Sequence, residues 1–95
     1  MVSFKKYILN ESHGHNYEKM EIPDQLRAAI VEEHKAVMQY DAIAKVCKNQ
    51  KMKEVLLDIA AEEKVHIQEL SALLREFDQE EYYAMDQAEE ELAGM

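Results

Sequence analysis

Three ionisable residues occupy positions where the helical pattern of the chain calls for apolar side chains: Glu33, Glu63 and His66. Carboxylate oxygens with a single imidazole form a ligand set that suits Fe(II), Fe(III) or Mn(II). A structural zinc site would be expected to use more Cys and His, and the chain has one cysteine. Because burying an unpaired charge is costly, three such groups on a core surface indicate a shared metal ion.

The three residues belong to two long apolar patterns that advance in alternating steps of four and three residues. This spacing predicts α-helices, the first over 25–48 and the second beginning near 52. Pro23 ends the preceding segment, and Asp24 is predicted to cap the first helix. The positions of the first pattern are Leu26, Ile30, 33, Val37, 40, Ala44 and Cys47. Those of the second are Met52, Leu56, Ile59, 63, 66, Leu70, Leu73 and Phe77.

The polar break at Asn49-Gln50 is short, which makes the two helices antiparallel neighbours in a hairpin. Two residues of an antiparallel hairpin lie side by side when their residue numbers add up to twice the residue number at the loop centre. With the loop at 49–50 this sum is about 99. The pair Glu33 and His66 meets this condition, and the pair Glu33 and Glu63 misses it by about one helical turn. Glu63 and His66 are three residues apart and project from one face. The three side chains are therefore expected to converge.

The remaining segments are predicted to be a tail and a short helix. Residues 1–22 show no sustained period and are interpreted as an N-terminal tail, followed by a helical domain over 23–95. Phe4, Tyr7 and Ile8 share a face that would serve as a strap or as a docking peptide. Asp78 and Glu81 have the spacing of a capping box, which predicts a third helix over about 79–92.

Composition restricts the class of protein. The chain has 95 residues, two Gly and one Pro, and is rich in helix-forming residues, so an all-α fold is expected. Its net charge of −9 argues against a nucleic-acid partner. No apolar run is long enough for a membrane span, and no signal peptide is evident, so a cytoplasmic protein is expected. One cysteine excludes an internal disulfide, which leaves a metal and oligomerisation as sources of stability.

Several residues near the predicted site are further candidates. Tyr40 lies two turns after Glu33, where its hydroxyl would act at the edge of the site; the alternative is a core aromatic residue with a satisfied hydroxyl. Glu32 and Glu62 flank the ligands and are candidates for guiding cations into the site, or are simply solvated. His34 falls off the pattern by one residue and is expected to be exposed.

One hairpin supplies only half of a known kind of metal site. Glu-x-x-His on one helix and Glu on its neighbour is the half-set of carboxylate-bridged di-iron and di-manganese bundles, which need it twice. The sequence therefore predicts a homodimer that completes a four-helix bundle with two iron ions per dimer, with manganese as the alternative metal.

The motifs resemble those of ferritins and rubrerythrins, in which a Glu-x6-Tyr sequence (Glu33 to Tyr40) precedes Glu-x-x-His (Glu63 to His66). The likeness covers about residues 24–92 and is greatest to the short, single-hairpin encapsulated ferritins. It implies oxidation of Fe(II) at a site shared by two subunits. It also implies that dimers assemble into a larger, ring-shaped homo-oligomer with a surrounding protein shell. The chain departs from these proteins in two ways. Lys35 and Gln39 stand where encapsulated ferritins have acidic and aromatic residues that guide metal to the site. The C-terminus also lacks the basic docking peptide of many proteins packaged in such shells.

The leading hypothesis is a ferroxidase that serves iron storage or detoxification. One alternative is a rubrerythrin-like peroxidase, although the chain has no Cys-x-x-Cys pair for a rubredoxin domain. Another is a non-catalytic oligomerisation module in which buried polar groups set the register around a structural metal. Residues 1–12 faintly resemble the leaders of proteins packaged in tailed-phage heads, so a protein compartment or a phage head is a candidate location beside the cytoplasm.

Overall fold

The computed structural model describes residues 17–95, which form three α-helices after a 3₁₀ turn at Tyr17–Lys19. The helices are α1 (Ile22–Val46), α2 (Gln50–Phe77) and α3 (Gln79–Ala93). This part of the chain contains no strand, so the predicted all-α fold with a hairpin and a shorter C-terminal helix is confirmed. None of the helices in residues 17–95 has a stretch with the length and hydropathy of a membrane span. The proposed strap formed by Phe4, Tyr7 and Ile8 and the leader-like segment 1–12 lie outside the described residues.

Helix α1 begins three residues earlier than predicted. Pro23 stands in the first turn, where its missing N–H costs no helical hydrogen bond and its fixed φ suits the helix. Glu21 is the N-cap residue, with no side-chain cap hydrogen bond. The predicted cap, Asp24, lies in the first turn, where its negative carboxylate interacts favourably with the positive end of the helix dipole.

The turn that joins α1 and α2 sets the register of the hairpin. Residues 47–49 connect the helices, and the Asn49 side chain caps α2 by accepting a hydrogen bond from the Met52 N–H at 2.9 Å. The loop is therefore centred on residue 48 rather than between residues 49 and 50. With this turn, the three side chains predicted to converge, Glu33, Glu63 and His66, lie close together.

The apolar core of the hairpin is built from both helices. Leu26 and Ala29 of α1 pack with Leu70 and Leu74 of α2, and all four residues are buried. Near the end of α2 the buried residue is Leu74, whereas the predicted Leu73 is 42% exposed. A pattern that repeats every 3.5 residues drifts slowly around a helix with 3.6 residues per turn. By the end of α2 the buried face has therefore shifted by one residue, from Leu73 to Leu74.

Helix α3 leaves the hairpin as a projecting arm. The described residues extend over 45 × 41 × 17 Å. The second of these dimensions is too large for α3 to be folded back along α2, and α3 has no buried residue. Arg27 of α1 holds its start by donating hydrogen bonds to Asp78 and, at 3.0 Å, to Glu81. The predicted capping box is therefore incomplete: Asp78 accepts from the Glu80 N–H at 3.1 Å, while the Glu81 carboxylate binds Arg27.

Replacing Asp78 with Asn is expected to loosen the start of α3 at neutral pH. The hydrogen bond from Arg27 holds the pKa of the Asp78 carboxyl below its ordinary value. The stabilisation is therefore complete above the ordinary Asp pKa of about 3.9 and is lost as the pH falls through the lowered folded value. Asn keeps the capping ability and removes only the charge.

The measurement for this variant is hydrogen exchange of the first α3 amides. At pH 6 they should exchange faster in Asp78→Asn than in the wild type, and in strong acid the difference should vanish. Asp86→Asn, an exposed change on the same helix, is the control and should exchange like the wild type. Equal exchange of Asp78→Asn and the wild type at pH 6 would show that the Arg27 contact does not hold α3.

Candidate metal centre

Two buried carboxylates and one half-buried imidazole meet in the middle of the hairpin. Glu33 of α1 is 6% exposed and Glu63 of α2 is 5% exposed. The Nδ1 atom of His66 lies 3.7 Å from the Oε2 atoms of both carboxylates. One ligand atom from each of the three residues lies within 4.8 Å of the others. The structure thus brings together the three side chains that the sequence singled out, while their role as ligands stays a prediction.

One carboxylate oxygen of this cluster lacks the hydrogen-bond partner that burial normally requires. The Oε2 atom of Glu33 is fully buried and accepts no hydrogen bond within the described residues. The 3.7 Å contacts of His66 are longer than hydrogen bonds, and they neutralise charge only when the imidazole is protonated. Buried acidic oxygens are almost always hydrogen-bonded, paired or bound to metal. A divalent cation between these atoms would satisfy the unpaired oxygen and offset both negative charges.

The site is closed by the hairpin on one side and open on the other. The His66 side chain is 31% exposed and lies toward the open side. Four apolar residues of α2 lie on the same side of the helix as His66, before and after it along the chain. Each is about half exposed: Met52, Val55, Leu73 and Phe77. We call these four residues the His66-side surface. Sequence reasoning missed its exposure, although the half-set of ligands already implied a missing partner on this side.

The other predicted residues lie around the cluster. Tyr40 is partly buried on α1, two turns from Glu33, and no hydrogen bond of its hydroxyl is found within the described residues. Glu62 and His34 are exposed. Glu32 is largely covered, with 17% of its side chain exposed, and its carboxylate lies 3.3 Å from the Lys35 ammonium. That ion pair lowers the negative charge available to guide a cation along α1.

Two comparisons with known proteins give a match. The family model described as Rubrerythrin matches residues 24–93. A protein of Pyrococcus furiosus named a ferritin-like-encapsulin shell fusion protein is 35% identical over 81 residues, which are 85% of this chain. The chain spans 23% of the length of that relative. No solved structure matches the chain.

Proposed function

Because the chain belongs to the rubrerythrin family of ferritin-like proteins, we propose that two copies form a four-helix bundle that binds two iron ions and oxidises them. Each copy contributes Glu33, Glu63 and His66. The observation that carries the proposal is the buried Glu33 oxygen without a hydrogen-bond partner, beside Glu63 and His66. A cation bound beside this oxygen would offset the free-energy cost of burying it without a partner.

The His66-side surface supports a second copy as the missing half. Its four apolar residues flank the ligand cluster along α2, so a partner that covers them would also close the open side of the site. The hairpin core itself is thin, since no large side chain among the described residues is buried below 2% exposure. Dimerisation would provide both the second ligand set and the apolar burial that one hairpin lacks.

In this proposal Fe(II) is the substrate. Two ions at the paired site give up one electron each, and the two electrons with two protons reduce O2 to hydrogen peroxide. Glu33 and Glu63 hold the ions and offset their rising charge, and the imidazole of His66 supplies a nitrogen ligand. The partly buried hydroxyl of Tyr40 lies within about two turns of the site and would affect oxidation rather than binding. Manganese is the alternative metal for the same ligands.

A second candidate function is reduction of hydrogen peroxide. The match to the rubrerythrin family model favours it, since the same ligands would serve ferrous ions that are reoxidised by peroxide. It differs from ferroxidase activity in the oxidant it prefers and in needing an external electron donor for turnover. A structural metal in a non-catalytic module is the remaining alternative.

The experiment that separates these functions is anaerobic loading with Fe(II) followed by each oxidant. A ferroxidase should bind two Fe(II) per dimer and form a ferric absorbance with O2, whereas a peroxidase should react faster with hydrogen peroxide. Tyr40→Phe should bind iron normally and oxidise it more slowly. Iron that binds but stays ferrous with both oxidants would leave only a structural role and contradict the proposal.

The relative from Pyrococcus furiosus suggests a further partner. Its name joins a ferritin-like part to an encapsulin shell. We propose that this chain also works beside a protein shell that would hold the oxidised iron. Co-expression with such a shell, followed by electron microscopy of the filled particles, tests this partner separately from the chemistry.

A further inference from the structure

An ion pair lies directly beside the ligand cluster on α1. The Nζ atom of Lys35 donates a hydrogen bond to the Oε1 atom of Glu32 at 3.3 Å. The two residues are three positions apart, so their side chains are neighbours on the surface of the helix. Glu32 immediately precedes Glu33 in the chain, which makes its carboxylate the nearest one on α1 to the buried ligand. The proposed iron chemistry gives this ion pair no role.

Of the two charges in the ion pair, the positive one is closer to the solvent. The Lys35 side chain is 61% exposed, whereas the Glu32 side chain is 17% exposed. One oxygen of a mostly covered carboxylate is therefore occupied by an ammonium group that the solvent reaches freely. A divalent cation that approaches Glu32 from water must displace this ammonium before it can bind the same oxygen.

Helix α2 presents the opposite arrangement beside its own ligand. Glu62 precedes Glu63 as Glu32 precedes Glu33, and Glu62 is exposed. Within residues 17–95 Glu62 has no ion pair, whereas Glu32 is paired with Lys35. The two helices thus flank the ligand cluster with unequal charge: a negative carboxylate on α2 and a neutralised one on α1.

This inequality matters for a cation on its way to the ligands. Side chains on adjacent residues of a helix lie within about 10 Å of each other, which is the Debye length in about 0.1 M salt, so screening leaves their interaction largely intact. A carboxylate there attracts a divalent cation, and a neighbouring ammonium cancels most of that attraction. The attraction returns only when the ammonium moves away or is removed.

From this geometry we propose that Lys35 is a tethered cation that competes with incoming Fe(II) for the Glu32 carboxylate and so slows loading of the metal site. The inference rests on the proposed function and names the residue that sets how readily the site fills. Lys35 touches neither the iron nor the oxidant and acts only through Glu32. The site would therefore load slowly when Fe(II) is scarce, and the chemical step would set the rate when Fe(II) is abundant.

Anaerobic stopped-flow mixing with Co(II), followed by the visible absorption of the bound ion, tests uptake without the redox step. In about 0.1 M salt, Lys35→Gln should take up Co(II) about fivefold faster than the wild type, the upper range for one exposed ion pair. Lys35→Arg keeps the charge and should behave like the wild type. Adding Glu32→Gln to Lys35→Gln should abolish the gain, because the freed carboxylate is then missing.

Oxidation assays on the same variants give a second measurement. Lys35→Gln should lower the KM for Fe(II) by about the same factor and leave kcat unchanged, because the ligands and Tyr40 are untouched. A purely structural role of the ion pair would instead change kcat and KM together or lower thermal stability.

The matched control is Lys64→Gln. Lys64 is exposed, follows the ligand Glu63 directly, and has no ion pair in the described part of the chain. The control removes the same charge beside the cluster without freeing a carboxylate, so its uptake rate should change by less than about twofold.

Three results would overturn the tethered-cation proposal while Co(II) still enters the site. They are equal uptake by Lys35→Gln and the wild type, an equal gain in Lys64→Gln, and a gain that persists after Glu32→Gln is added. A complete lack of Co(II) uptake in every variant, the wild type included, would overturn the proposed metal site as well, so the two failures are distinguishable.

Discussion

Replacing Glu33 with Leu is expected to abolish iron binding and to stabilise the metal-free protein by about 2 kcal/mol. In the metal-free hairpin the Glu33 carboxylate is buried, and its Oε2 atom has no hydrogen-bond partner among the described residues. Leu removes this desolvated charge and fills a core position between Ala29 and Val37. A residue that costs stability without metal and is needed for binding marks a functional position.

Two measurements on the same samples check this prediction. Urea unfolding of chelator-treated protein should show the higher free energy of unfolding, and anaerobic titration should show no Fe(II) uptake. His34→Leu is the matched control, since it makes the same kind of change at an exposed neighbour and should change stability by less than about 0.5 kcal/mol. A Glu33→Leu variant that binds iron like the wild type, or one that is destabilised without metal, would be incompatible with the proposed site.

Placing Asp at both Val55 and Leu73 is expected to prevent dimerisation and, through it, iron binding. Both residues belong to the His66-side surface and are 49% and 42% exposed, so the monomer tolerates the change. In a dimer the two carboxylates would be buried twice by symmetry, which should weaken association by about 100-fold or more. All three ligands remain, so any loss of iron binding would come from the missing partner copy.

The matched control places Asp at Leu57 and Val65, which are 44% and 58% exposed and lie away from the His66 side. Sedimentation and Fe(II) titration should give wild-type results for this control. The Val55 and Leu73 variant should sediment as a monomer and bind iron poorly at the same protein concentration. A monomer that binds iron with full affinity would show that one hairpin is sufficient and that the dimer has another purpose.

Much of the fold could be predicted because its signals are local. Apolar steps of four and three over more than twenty residues predict long helices. The same pattern exposed the site, since Glu33, Glu63 and His66 interrupt it. Their meeting followed from the short turn alone, without any knowledge of tertiary contacts.

The errors came from features that depend on single residues or on distant ones. The loop was predicted at 49–50 and lies at 47–49, because the exact end of a helix depends on single residues at its terminus. The bond from Arg27 to Asp78 joins residues 51 positions apart, so no local pattern predicts it. It also drew Glu81 away from the expected capping box.

The central claim is that two copies of this chain share one paired metal site, and native mass spectrometry during anaerobic Fe(II) titration tests it most directly. The account predicts that iron appears on dimers or larger even-numbered species, at two ions per dimer, and that monomers in the same spectrum carry none. Iron on monomers at one or two ions per chain, or iron-free dimers at saturating Fe(II), would contradict it.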